Sequence, residues 1–151
     1  MDTARLLYNS EILAIAAEKM LNIAYSRGAT HIGGEATSAL PLIGAITSLS
    51  FLKGRGLSGF MIRKELKPYG KSNLIEGEIP TGSRVLLVDD VTGTGSAAVR
   101  CCGILQSAGV EIVGYSSIVD RQEQASQSLC EQFSVELLPL LTIGDFQGVK
   151  I

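Results

Sequence analysis

A chain of 151 residues has room for one domain, spanning 1–151, and its 46 % apolar and 19 % charged residues exclude disorder as its main state. Thirteen Lys and Arg against fifteen Asp and Glu leave a net charge of −2, which offers no general field for nucleic acid or an anionic membrane, so any phosphate must be held locally. Three cysteines (Cys101, Cys102, Cys130) without C-x-x-C spacing argue against a disulfide framework or zinc site and fit a reducing cytoplasm.

In chain order, Glu11, Glu18 and Lys19 interrupt any secretory apolar region, and apolar residues from Ile12 to Ile23 recur at three- and four-residue intervals. That spacing predicts a helix over 10–25 with Ser10 as N-cap and Gly28 beyond its end. A short strand over 30–32 leads into Gly33-Gly34. A second helix is expected over 39–52; the longest uncharged stretch, Ala36 to Leu52, contains Pro41 and is shorter than the roughly 20 apolar residues a membrane span needs. A strand over 59–62 precedes a long loop, 63–82, punctuated by Pro68, Gly70, Gly77, Pro80 and Gly82. Val85-Leu-Leu-Val88 reads as a strand buried on both faces, then come Asp89-Asp90, a turn over 92–95 and a helix over 96–108. A strand over 110–119 ending at Asp120-Arg121, a helix over 122–133 and a last strand over 135–138 complete the pattern. This alternation predicts an α/β domain with a mostly parallel, Rossmann-like central sheet flanked by helices.

Ligands of such sheets collect at the carboxyl ends of the strands. Three segments fall there: 33–38, 89–96 and Asp120-Arg121. Thr92-Gly93-Thr94-Gly95-Ser96 lets backbone N–H groups approach an anion at the start of a helix, with the hydroxyls of Thr94 and Ser96 as further donors. Asp89 and Asp90 would repel that anion unless they accept hydrogen bonds from something attached to it. A phosphorylated ribose meets both requirements, with its phosphate on the turn and its 2- and 3-hydroxyls on the aspartates.

The run from Val85 to Ser96 resembles the phosphoribosyl-pyrophosphate (PRPP) signature of type I phosphoribosyltransferases. Arg63-Lys-Glu-Leu-Lys-Pro-Tyr-Gly70, with Ile75-Glu-Gly77 after it, resembles the catalytic loop of the orotate branch, and Asp120-Arg121-Gln122-Glu123 a later segment of the same enzymes. The resemblance implies transfer of ribose 5-phosphate from PRPP to a nucleobase, orotate first, with Mg2+ bound mainly through the pyrophosphate and no protein metal ligands. It implies that Arg63, Lys64 and Lys67 stabilise the leaving pyrophosphate, that Gly34, Glu35 and the rest of 34–39 form the pyrophosphate-binding turn, and that Arg121 contacts the base. It also implies a homodimer in which the 63–80 loop reaches the neighbouring site. Tyr69 stands where the family has His, Gly93 where it has Thr, Ala39 where it has Gly, and the residues before Gly33 hold a helix in place of the family's hood over the base.

Competing readings exist for each feature. A PRPP or nucleotide sensor without catalysis, or an enzyme for another base, would use the same turn. Gly93-Thr-Gly-Ser-Ala-Ala98 also fits a dinucleotide fingerprint, though two aspartates would then face a pyrophosphate. The acidic turn could be a plain helix cap, and Arg63, Lys64 and Lys67 a solvated patch. Arg121 could pair with Asp120 or Glu123, His31 is expected to be a strand-end residue, and Cys101 and Cys102 are expected to pack in the core.

Overall fold

The computed structural model describes residues 4–66, 73–146 and 148. A short helix, α1 (Ala4–Leu7), precedes α2 (Ser10–Ser26). The cap of α2 is Asn9 and not Ser10: its side chain accepts from the amides of Glu11 and Ile12, and its backbone is extended, which leaves Ser10 inside the helix. Next come β1 (His31–Gly33) and α3 (Leu40–Leu52), which starts without a side-chain cap but with Pro41 in its first turn, where a missing N–H costs nothing.

The expected strand over 59–62 divides in two. β2 (Ser58–Gly59) pairs parallel with β1, whereas β3 (Met61–Ile62) turns away and pairs antiparallel with β4 (Ile75–Glu76). The stretch 63–82 is therefore not loop throughout, because β3 and β4 form a small ribbon; Lys67 and Tyr69 fall in sequence between its two strands. Those two residues lie outside the described residues. β5 (Arg84–Thr92) follows, then α4 (Ser96–Ser107), β6 (Glu111–Asp120), α5 (Ala125–Phe133), β7 (Leu141–Thr142) and a 3-10 turn, Ile143–Phe146.

The main sheet has the order β2-β1-β5-β6-β7, and all its pairings are parallel. β5 alternates sides: Leu86 and Val88 pack with α2 and α3, while Val85 and Leu87 pack with α4 and α5. All four are fully buried, each contributing about 1.5–3 kcal/mol from removal of apolar surface. Cys101 and Cys102 are packed in the second of these cores, as expected. Among the described residues, no helix is long and apolar enough to cross a membrane.

Two expectations fail near the end of the chain. The helix over 122–133 starts only at Ala125, after a left-handed Gln122. The strand over 135–138 is reduced to a bridge between Leu137 and Tyr115, with the Tyr115 amide donating to the Glu136 carbonyl at 3.0 Å and the Leu138 amide to the Tyr115 carbonyl at 2.8 Å; pairing resumes at β7, opposite Val119 and Asp120.

Candidate functional site

Parallel pairing sets the ends of β1, β5 and β6 side by side, which brings the turn after Gly33, the residues 89–96 and Asp120-Arg121 to one edge of the sheet. Asp89, Thr92, Gly93, Thr94, Gly95, Ser96, Tyr115 and Arg121 line a single hollow of about 280 Å3. Gly95 caps α4 with a left-handed backbone (φ 87°), and a Cβ there would lie 2.8 Å from the Cα of Ala125. The first helical acceptor is the Gly95 carbonyl, which takes the Val99 amide at 2.8 Å, so the amides of Ser96, Ala97 and Ala98 have no earlier helical carbonyl. Thr94 Oγ1 and Ser96 Oγ stand 3.0 Å apart beside them. Such a turn suits an anion.

The two aspartates are not equivalent. Asp89 is buried, its Oδ1 accepting from Ser38 Oγ at 3.0 Å and from the Asp90 amide at 2.9 Å, and its Oδ2 from the Tyr115 hydroxyl at 2.9 Å. Burial pushes its carboxyl up to about 7; the Tyr115 hydroxyl opposes this, the hydrogen bond and charge of Asp90 add to it, and the Ser38 hydroxyl opposes it more weakly. Asp90 is half-buried, and its Oδ1 accepts from the Val91 amide at 2.8 Å. Burial and the Asp89 charge hold Tyr115 well above the ordinary phenol range, so it stays a donor. Burial likewise pushes Cys101 and Cys102 up to about 12, which leaves them unreactive thiols.

The turn after β1 is built by close approach. A Cβ on Gly34 would strike the Val88 carbonyl and the Ala39 side chain, so only glycine fits between the turn and β5. Glu35 is buried there, next to a cis Ala36-Thr37 peptide. It pairs with Arg100 of α4, whose Nε donates to Glu35 Oε1 at 2.9 Å and whose guanidinium also donates to the Arg63 carbonyl at 3.2 Å. Lys64 Nζ lies 3.7 Å from Glu35 Oε2. Arg63 is itself paired, with Glu76 of β4 at 2.5 Å. Arg63 and Lys64 are thus engaged with carboxylates beside the turn, and are not a wholly solvated patch.

Arg121 forms the ion pair with Glu123, at 2.8 Å, while Asp120 accepts instead from the Gln122 amide at 2.9 Å. A Cβ on Gly93 would lie 3.0 Å from Glu123 Oε2, so the absence of a side chain at 93 gives the Arg121–Glu123 pair its room. His31, at the amino end of β1, stands away from this edge with Nδ1 2.9 Å from the Thr30 hydroxyl. Among the described residues, no group of three or more His, Cys, Asp or Glu could hold a metal ion. Two contributors escaped the sequence reading, Tyr115 and Arg100. The signals were there: one aromatic among the aliphatic and small residues between Glu111 and Asp120, and one charge on a helix, SAAVRCCGILQS, with no other.

No protein-family model matches the chain. It is similar to the orotate phosphoribosyltransferase of Pyrococcus abyssi (strain GE5 / Orsay), 36 % identical over 151 residues that cover 96 % of this chain and 78 % of the relative. The fold is similar to the crystal structure of Mycobacterium tuberculosis H37Rv orotate phosphoribosyltransferase in complex with Fe(III) dicitrate, with TM-score 0.84 and 30 % identity over 96 % of this chain and 81 % of that one. The same enzyme in complex with 5-phospho-alpha-D-ribosyl 1-diphosphate gives TM-score 0.83 at 28 % identity, covering 96 % and 81 %.

Proposed function

Because the chain belongs to the orotate phosphoribosyltransferase family, we propose that it transfers ribose 5-phosphate from PRPP to orotate, giving orotidine monophosphate and pyrophosphate. The observation that carries this reading is the hollow in which the 92–96 turn, at the start of α4, meets the buried carboxylate of Asp89, with the half-buried Asp90 next to it in the chain. The turn takes the 5-phosphate, and Asp89 and Asp90 accept from the ribose hydroxyls. The pyrophosphate belongs at the 34–38 turn beside Lys64 and Arg63, joined by Lys67.

In the reaction the orotate nitrogen attacks the anomeric carbon as the bond to pyrophosphate breaks. Positive charge spreads over the sugar ring, and negative charge grows on the leaving group. Preoriented cations and amides stabilise the second charge most when it is largest. Lys64, 3.7 Å from Glu35, changes partner without crossing the site. Arg121 is the candidate for the orotate carboxylate, once released from Glu123. Magnesium bound to PRPP would neutralise part of the pyrophosphate charge. The reaction takes place in the cytoplasm, on one domain, in a homodimer whose 63–80 loops reach across.

Mixing the purified protein with PRPP, magnesium and orotate yields pyrophosphate and orotidine monophosphate. Turnover with another base but not orotate reassigns the substrate. Calorimetric PRPP binding without turnover on any of a panel of bases makes the protein a sensor.

A further inference from the structure

The buried hydroxyl of Tyr115 has no role in the chemistry above, yet it is aimed at the site's most enclosed acid. In the sheet register Leu87 faces Tyr115 and Asp89 faces Ser117, so Tyr115 stands two residues before the position opposite Asp89, on the same face. The ring is packed in the core with Cys101, Cys102 and Leu87, and only 1 % of the residue is exposed. A buried phenol needs an acceptor, and a backbone carbonyl would serve. Here the acceptor is a carboxylate, 2.9 Å away.

Asp89 is held from two directions. Ser38, in the turn before α3, and the Asp90 amide fix Oδ1; Tyr115, from β6, fixes Oδ2. Of roughly four acceptor positions on an ionised carboxylate, these donors occupy three. We propose that Tyr115 is a positioning residue for the phosphoribosyl site: its hydroxyl pins Asp89 Oδ2 and so fixes the direction in which Asp89 presents its remaining acceptor capacity to a ribose hydroxyl.

The proposal rests on the reading of this hollow as the phosphoribosyl site. Its physical content has two parts. Without the hydroxyl, the carboxylate can rotate about its Cβ–Cγ bond, held on one oxygen only. The ionised form, which is the form that accepts from a sugar, also loses a donor that favours it. The titratable groups facing Asp89 are Asp90 on its own strand, Tyr115 on β6 and Cys101 on α4, with Ser38 as a neutral donor from the turn. Cys101 stays a thiol throughout the range of interest, since burial pushes it up to about 12. The hydrogen bond and charge of Asp90 favour the protonated form of Asp89, against which the Tyr115 hydroxyl acts.

The test is Tyr115→Phe, which removes the hydroxyl and keeps the ring. Carbonyl-13C NMR of the full chain follows the titration of Asp89, and calorimetry follows PRPP binding from pH 6 to pH 9. The Asp89 midpoint moves up by about one pH unit in the variant. PRPP affinity falls about tenfold near pH 7, and the gap from wild type narrows towards pH 9, where Asp89 is ionised in both. An unmoved Asp89 midpoint, or an affinity loss equal at every pH, overturns the proposal, since loss of packing alone has no reason to follow this titration. Should the Phe variant not fold, replacing all four tyrosines by 3-fluorotyrosine, a stronger donor, shifts the midpoint down; no shift again overturns it. A wild-type chain that binds no PRPP refutes the functional reading instead, and the NMR titration still decides the role of Tyr115.

Discussion

Asp89→Asn separates what the buried acid costs the fold from what it gives the site. Burial and Asp90 raise the Asp89 carboxyl from 3.8 to about 7. That difference, 7 − 3.8 = 3.2 pH units at about 1.4 kcal/mol each, sets a ceiling of about 4 kcal/mol on the stability tied to its protonation. Because the folded-state value is the higher one, this stability is fully present below pH 3.8 and is lost as pH rises towards 7. Asn has nearly the shape of protonated Asp and does not ionise. The variant should match wild type only below pH 3.8, exceed it by about 1 kcal/mol at pH 4.5 and increasingly up to pH 8, by as much as about 4 kcal/mol, with PRPP affinity lost throughout. The chain has no Trp, so urea unfolding is followed by far-ultraviolet circular dichroism at each pH. Wild-type and variant stabilities that run parallel from pH 4.5 to 8.5 would refute the buried-acid reasoning.

Three more sets of variants test the proposed site and its supports. Replacing both acids, Asp89→Asn with Asp90→Asn, should abolish PRPP binding in calorimetry while leaving the circular dichroism spectrum intact. Lys67→Ala should leave PRPP binding within about twofold and slow turnover by 10- to 100-fold in an orotidine monophosphate assay, because its contact strengthens only as pyrophosphate departs. Arg100→Met should lower stability by roughly 2–3 kcal/mol in urea by leaving the Glu35 carboxylate buried with Lys64 alone, and adding Glu35→Gln should recover most of that loss.

The central strands and the glycine turn before α4 were legible because each rests on local sequence. A short apolar run bounded by turn residues and rich in β-branched and aliphatic side chains fits a strand covered on both faces, and glycines between hydroxyl residues mark a tight turn into a helix. Asn9 was missed as a cap because Ser10 is equally good chemistry, and only backbone geometry decides between adjacent candidates. The ribbon of β3 and β4 was missed because two-residue strands carry no period. The 135–138 segment does run beside β6, but it meets it only at a single bridge, Leu137 with Tyr115, too short a pairing to form a strand. Arg121 was left open between base and ion pair, and the structure forms the pair with Glu123. Tyr115 and Arg100 lay beyond local reading altogether, since each acts on a partner set by sheet register or helix packing 26 and 65 residues away in the chain.

The β3–β4 ribbon makes the segment between them a replaceable part. The Arg63 amide donates to the Leu74 carbonyl at 2.7 Å, and Arg63 grips Glu76, so both ends of the excursion are tied before residue 67 begins and after residue 72 ends. Splicing in a stretch of twice the length adds only about 0.6 kcal/mol of closure entropy. Evolution, or an engineer, can therefore exchange that insert without renegotiating the rest of the architecture.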